Sequence, residues 1–178
     1  MARLVAQLGL TRYEADEHYK IALDFYAKKN MEEALNAIAQ AMRLHPYHAE
    51  YYATQGFFYL EHGARDKAAT AFAEALKINQ YELLAHYGLG VLAYKAQDWP
   101  TALHHFNLSQ MIDPNRAEPL YYLALVQRHS NQADKAIVSM QKALALYEKM
   151  PDAKKQARDA RAWLAEWEKQ ALPPPPPR

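Results

Sequence analysis

Apolar residues recur along most of this chain at spacings of three and four positions, with polar residues between them. This periodicity is typical of amphipathic helices, because residues three and four apart lie on one helical face. Residues that favour turns or helix caps interrupt the pattern at regular intervals, at Asn30, Gly63, Asp98 and Asn131. The pattern therefore predicts pairs of helices, each of roughly 14 residues, joined by tight turns.

The helix pairs recur with a period of 34 residues, in four consecutive repeats: 15–48, 49–82, 83–116 and 117–150. Position 20 of every repeat is alanine, and positions 8 and 27 are small. Position 24 is large and apolar, as Ile38, Phe72, Phe106 and Met140. Small residues opposite large ones let a second helix approach closely, and one pair alone leaves an apolar face uncovered. Neighbouring repeats are therefore expected to stack into a solenoid.

These recurring residues resemble the tetratricopeptide repeat family, and the resemblance covers 136 of the 178 residues. It implies an all-α fold: a right-handed superhelical α-solenoid of four helix-turn-helix repeats. Two glutamines depart from the family pattern at positions that are usually apolar, Gln55 and Gln127. We expect less ideal packing in the second and fourth repeats.

Residues 1–14 precede the first repeat and are expected to form an N-terminal arm and the start of the first helix. Thr11 and Glu14 have the spacing of a capping box, which predicts a helix that begins near residue 12. Residues 1–10 are open to two interpretations, a short helix or a disordered arm.

Residues 151–172 follow the last repeat and are expected to form a C-terminal capping helix. Its apolar stripe would cover the exposed end of the fourth repeat, with Ala157, Ala160, Leu164, Trp167 and Ala171. Residues 173–178 are five prolines and an arginine, a proline-rich tail that cannot join a helical core.

Composition removes several classes of function. The chain has 21 Lys and Arg against 20 Asp and Glu, so its net charge of +1 offers no general attraction to nucleic acid or to anionic lipid. No apolar run approaches the ~20 residues that a membrane helix needs, and the start of the chain does not read as a secretion signal. We expect no membrane insertion, no nucleic-acid partner and a cytoplasmic protein.

Catalytic chemistry is not evident in the sequence. Gly88 and Gly90 lie inside a helical repeat rather than in a phosphate-binding loop, and the chain has no cysteine. His45 and His48, which bracket Pro46 at a turn, are expected to be surface histidines. No catalytic residues, cofactor or metal site are predicted, and an enzyme is not expected.

The family resemblance implies a concave groove, lined by the first helix of each repeat, that holds a protein or peptide partner. Carried over by repeat position, the apolar floor of this groove consists of Tyr19, Leu23, Tyr26, Phe57, Tyr87, Val91, Tyr121 and Leu125. The charged positions are acidic on one edge, with Asp16, Glu50 and Glu118, and basic toward the third and fourth repeats, with Lys95 and Arg128. Tyrosines at recognition surfaces supply large contact area at small entropic cost.

The resulting hypothesis is an interaction adaptor that binds an extended peptide or an amphipathic helix in the groove. The alternative for the tyrosines is structural, since consecutive first helices touch and these rings could fill the space between repeats. A second functional hypothesis is a self-assembling scaffold, a homo-oligomer held by contacts between repeats or between the proline-rich tail and the groove. The family's clamp for peptide carboxylates is disfavoured, because Tyr19, Leu23, Ala53 and Thr54 occupy its places.

Overall fold

The computed structural model describes residues 2–171, with side chains for residues 9–169. This part of the chain forms nine α-helices and no strand. The helices are α1 (Ala2–Ala27), α2 (Met31–Leu44), α3 (Ala49–Glu61), α4 (Arg65–Ile78), α5 (Leu83–Lys95), α6 (Trp99–Ile112), α7 (Ala117–His129), α8 (Ala133–Tyr147) and α9 (Lys154–Ala171). The predicted all-α architecture of four helix pairs followed by a terminal helix is confirmed.

The same type of turn connects the two helices of each pair. The residue at position 15 of every repeat has a positive φ angle, at Lys29 (60°), Gly63 (81°), Gln97 (60°) and Asn131 (57°). The next backbone N–H donates to the carbonyl five residues earlier, as Asp98 N does to Ala93 O at 2.9 Å. This Schellman arrangement satisfies carbonyls at the end of a helix. The side chain of Asp98 then caps α6 by accepting from Thr101 N at 3.2 Å.

Two compact units make up the chain, an N-terminal unit that ends at Leu92 and a C-terminal unit that begins at Ala93. The boundary lies inside α5. In the N-terminal unit, buried Ala34, Ile38 and Ala41 of α2 form a core with residues of α1 and α3. In the C-terminal unit, α7, α8 and α9 share two buried clusters, one of which contains Met140.

The fully buried ring of Phe72 explains two of the small residues in the N-terminal unit. A β-carbon on Gly56 of α3 would lie 2.7 Å from this ring, and a β-carbon on Gly88 of α5 would overlap it. Because glycine has no β-carbon, α3 and α5 can both pack closely against this one phenylalanine of α4. Gly56 meets the expectation that a small residue at position 8 lets another helix approach closely, whereas Gly88, at position 6, was not part of that expectation.

Gln127 does not weaken the fourth repeat in the way that its polar side chain suggested. Its amide is buried, and the buried hydroxyl of Ser139 on α8 donates to Gln127 Oε1 at 2.8 Å. A matched polar pair thus replaces an apolar contact between α7 and α8.

The start of the chain differs from the expectation. The capping-box prediction is wrong, because α1 runs without a break from Ala2 and residues 11–14 lie inside it. No proline stops this helix, and the single Gly9 does not interrupt it. Of the two interpretations of residues 1–10, residues 2–10 are helical and continuous with the first repeat helix.

The capping helix α9 packs on α8 and buries Ala157, Ala160, Leu164 and Trp167, four members of the predicted stripe. The side chain of Ala171 and the proline-rich tail at 173–178 lie outside the described residues. Among the helices described, none is long and apolar enough to cross a lipid bilayer.

Candidate functional site

Tyrosine hydroxyls tie the C-terminal half of α1 to the first turns of α3. Tyr51 Oη donates to Asp16 Oδ1 at 2.6 Å, and Tyr19 Oη donates to Glu50 Oε1 at 2.9 Å. Thr54 Oγ1 lies 3.3 Å from Tyr19 Oη, and the rings of Tyr19 and Tyr51 lie 5.1 Å apart. Two of the three acidic residues that the sequence predicts for the groove, Asp16 and Glu50, are therefore held in place by hydrogen bonds within the chain.

Burial raises the pKa of both hydroxyls. It raises the pKa of Tyr19 to about 12, with a further upward contribution from Glu50. The pKa of Tyr51 also rises, first through burial and then through its hydrogen bond to Asp16. Both tyrosines thus remain donors to carboxylates at neutral pH. Tyr51 was not among the predicted site residues. The available signal was that Tyr51 follows Asp16 by 35 residues, about one repeat, which places the two residues near each other on adjacent first helices.

An apolar strip continues from this network along α1 and α3. Leu23 follows Tyr19 by four residues and precedes Tyr26 by three, so the three share one face of α1. The Tyr26 ring meets the Phe57 ring edge-on at 5.7 Å. Leu23 is 40% exposed, while Tyr26 and Phe57 are half-buried. We call Leu23, Tyr26 and Phe57 the inner strip.

The predicted groove residues of α5 divide between partial exposure and burial. Tyr87 is half-buried, whereas Val91 is only 5% exposed. Val91 is therefore not available to a ligand in this structure. Valine also has a smaller side chain than the leucine or phenylalanine at the same repeat position and so presents less apolar surface.

In the C-terminal unit, α9 covers part of the predicted groove. Leu125 is 8% exposed and shares a cluster with Leu164 and Trp167 of α9. Trp163 Nε1 donates to Tyr121 Oη at 3.1 Å, so the half-buried Tyr121 is also engaged by this helix. The expectation that Leu125 contacts a ligand is not met here, because the apolar stripe of α9 packs against the Leu125 side chain and covers it.

The remaining charged positions lie at helix ends of the C-terminal unit. Glu118 is half-buried in the first turn of α7, and Arg128 is half-buried in its last turn. Lys95 is exposed in the last turn of α5. Acidic residues at helix starts and basic residues at helix ends complement the helix dipole, which gives these side chains a structural role in addition to any recognition.

The histidines at the turn between α2 and α3 correct another expectation. His45 and His48 are half-buried instead of freely exposed, and the His48 ring stacks on Tyr51 at 4.2 Å. Burial lowers the pKa of His48. Within the described residues no three or more His, Asp or Glu side chains are grouped to hold a metal ion.

Comparison with known proteins agrees with the helical repeat. No family model matches this sequence. Over 137 residues the chain is 26% identical to anaphase-promoting complex subunit 3 of Schizosaccharomyces pombe, an alignment that covers 77% of this chain and 21% of that protein. The chain thus spans about a fifth of this curated relative.

Solved structures resemble the chain over more of its length. MamA residues 41-end from Desulfovibrio magneticus RS-1 is 22% identical, with 90% of this chain and 98% of that chain covered and a TM-score of 0.63. The TPR domain of Arabidopsis OM64 is 17% identical, with 67% of this chain and 98% of that chain covered and a TM-score of 0.62. At these identities the likeness concerns the fold.

Proposed function

We propose, from the premise that this chain has the tetratricopeptide-repeat fold, that it is a protein-interaction adaptor whose N-terminal unit binds a peptide or an amphipathic helix on the inner strip. The observation that carries this proposal is the juxtaposition on α1 and α3 of a partly exposed apolar strip and two fixed carboxylates. Folding leaves Leu23 40% exposed about one helical turn before Tyr26, whose ring contacts Phe57. Apolar anchors next to positioned polar groups are the usual composition of a peptide-binding surface.

The two carboxylates define the chemistry of the partner. Asp16 and Glu50 each accept one tyrosine hydroxyl through one oxygen. A carboxylate has two oxygens and about four lone-pair sites, so each retains capacity to accept a further donor. A Lys or Arg of the partner would supply that donor. The partner is therefore a segment with an apolar side chain for the inner strip and a basic residue beside it.

Preorganisation favours binding here. The Tyr19 and Tyr51 hydroxyls hold the carboxylates, and the contact between Tyr26 and Phe57 orders both rings before a ligand arrives. Side chains that are already ordered lose less conformational entropy on binding.

The test begins with selection of peptides from a random display library against the whole chain. Selected peptides are then synthesised and titrated by calorimetry against the Leu23→Lys variant and against an Ile21→Lys control. Ile21 lies on the same helix and is 43% exposed. Because it precedes Leu23 by two residues, its side chain points to a different side of α1. Both variants add the same charge to similarly exposed positions.

We expect the selected peptides to combine apolar and basic residues. Leu23→Lys should weaken their binding by about tenfold or more, because it removes an apolar contact worth roughly 1.5 kcal/mol and repels a basic ligand. Ile21→Lys should leave binding within about twofold of the original chain. Equal losses in the two variants, or no loss in either, would refute the inner strip as the binding surface.

A further inference from the structure

A cleft opens in the C-terminal unit, where α5 and α7 end and α6 begins. Its volume is about 550 Å³, and its lining consists of Tyr94, Lys95, Gln97, Trp99 and His129. Gln97 is the residue with a positive φ angle in the turn between α5 and α6, and Lys95 and Trp99 lie two residues before and after it in the sequence. Lys95 is one of the groove residues predicted from the sequence, whereas the aromatic rings beside it are not.

A ladder of ring contacts makes one wall of this cleft rigid. The fully buried Phe106 ring stacks on Tyr122 at 5.5 Å, and Tyr122 meets Tyr94 edge-on at 5.4 Å. Tyr94 meets Trp99 edge-on at 5.8 Å, and Trp99 stacks on His129 at 4.5 Å with an interplanar angle of 1°. The half-buried indole is thus connected ring by ring to the core. Because these rings are already ordered, they lose little conformational entropy when a ligand packs on this wall.

The charges around the cleft favour an anionic ligand. Lys95 is exposed, and no carboxylate in the described part of the chain forms an ion pair with it. Arg128 and His129 occupy the last turn of α7. The neighbouring acid, Asp98, accepts from Thr101 N at the start of α6. Hydrogen bonding to the Thr101 side chain, and then to its backbone N–H, lowers the pKa of Asp98. Its carboxylate is thereby engaged at the helix terminus, and Lys95 has no counter-ion among the residues that the structure describes.

We propose that this cleft is a second binding site, which takes an acidic peptide segment whose aromatic side chain is flanked by Asp or Glu. The aromatic side chain packs against Trp99, and a carboxylate pairs with Lys95 Nζ. This inference goes beyond the proposed function, because it concerns a different surface in the other compact unit and a ligand of the opposite charge. Either site can exist without the other.

The probes are three capped pentapeptides that differ only in charge: Gly-Glu-Phe-Glu-Gly, Gly-Gln-Phe-Gln-Gly and Gly-Lys-Phe-Lys-Gly. Each is titrated into the ¹⁵N-labelled whole chain, and the indole N–H signals of its three tryptophans are followed by NMR. Trp99 is the reporter. Trp163, which donates to Tyr121, and the buried Trp167 serve as internal references.

We expect the Glu peptide to shift the Trp99 signal and to bind about three- to fivefold more tightly than the Gln peptide, the gain typical of an exposed ion pair. The Lys peptide should bind most weakly. In about 0.5 M salt the difference between the Glu and Gln peptides should disappear, since exposed charges are screened.

Two variants locate the charge that is responsible. Lys95→Ala should abolish the preference for the Glu peptide, and Lys142→Ala should retain it, because exposed Lys142 on α8 carries the same charge but does not line the cleft. Four results overturn the proposal: no shift of Trp99, no preference among the peptides, preference for the Lys peptide, or an unchanged preference in Lys95→Ala. The last would leave Lys95 only a role at the end of α5.

Discussion

Replacement of Gly88 by alanine tests the packing on which the N-terminal unit depends. The ring of Phe72 is fully buried between Gly56 and Gly88. At Gly56 an added β-carbon would lie 2.7 Å from two ring carbons, well inside the 3.4–4 Å of ordinary contact. At Gly88 the added β-carbon would come closer still to three ring atoms, so the ring must move or the helices must separate.

The expected magnitude follows from this overlap. Overpacking a closely packed core typically costs about 1–3 kcal/mol, and we place Gly88→Ala at the upper end of that range and Gly56→Ala below it. Gly9→Ala is the control, because nothing lies within 4 Å of a β-carbon there. Alanine at that helical position should stabilise the protein by up to about 1 kcal/mol.

The assay is urea unfolding followed by far-UV circular dichroism, with the free energy of unfolding compared among the variants. A smaller residue at position 72 should relieve the overlap, so the double variant Phe72→Leu, Gly88→Ala should lose less stability than the sum of the two single variants, by at least about 0.5 kcal/mol. Additive losses, or a Gly88→Ala variant as stable as the original chain, would refute this account of the packing between α3, α4 and α5.

Three further outcomes are expected. Gln97→Gly should raise the free energy of unfolding by about 0.5–1 kcal/mol, since glycine adopts the left-handed turn without steric strain, and a loss in urea unfolding would contradict this. Ser139→Ala should cost about 1–3 kcal/mol because it leaves the buried Gln127 amide without its partner, and adding Gln127→Leu should restore part of that loss. Burial lowers the pKa of His48 in the folded chain, so as the pH decreases His48 becomes protonated in the unfolded chain before it does in the folded chain. Folding stability should therefore fall as pH decreases through the ordinary histidine value of 6.5, and urea midpoints at two pH values should show a smaller fall for His48→Gln.

Much of the fold follows from local pattern. Turn residues near Asn30, Gly63, Asp98 and Asn131 locate the breaks between helices, and small residues at repeat positions mark where helices approach. These features are readable because helix periodicity and capping depend on residues only a few positions apart. The start of α1 escaped prediction for the converse reason: a capping-box spacing is also compatible with the middle of a helix, and nothing before residue 11 stops one.

For the candidate site, too, the sequence predicts the local features but not the contacts between helices. Sequence spacing placed Tyr19, Leu23 and Tyr26 on one face of a helix, since that depends on a single helix. It could not decide that the hydroxyls of Tyr19 and Tyr51 bind carboxylates of another helix, or that Leu125 is covered by α9. Those outcomes depend on distances of a few ångströms between side chains that lie more than 30 residues apart in the chain, and only tertiary packing sets such distances.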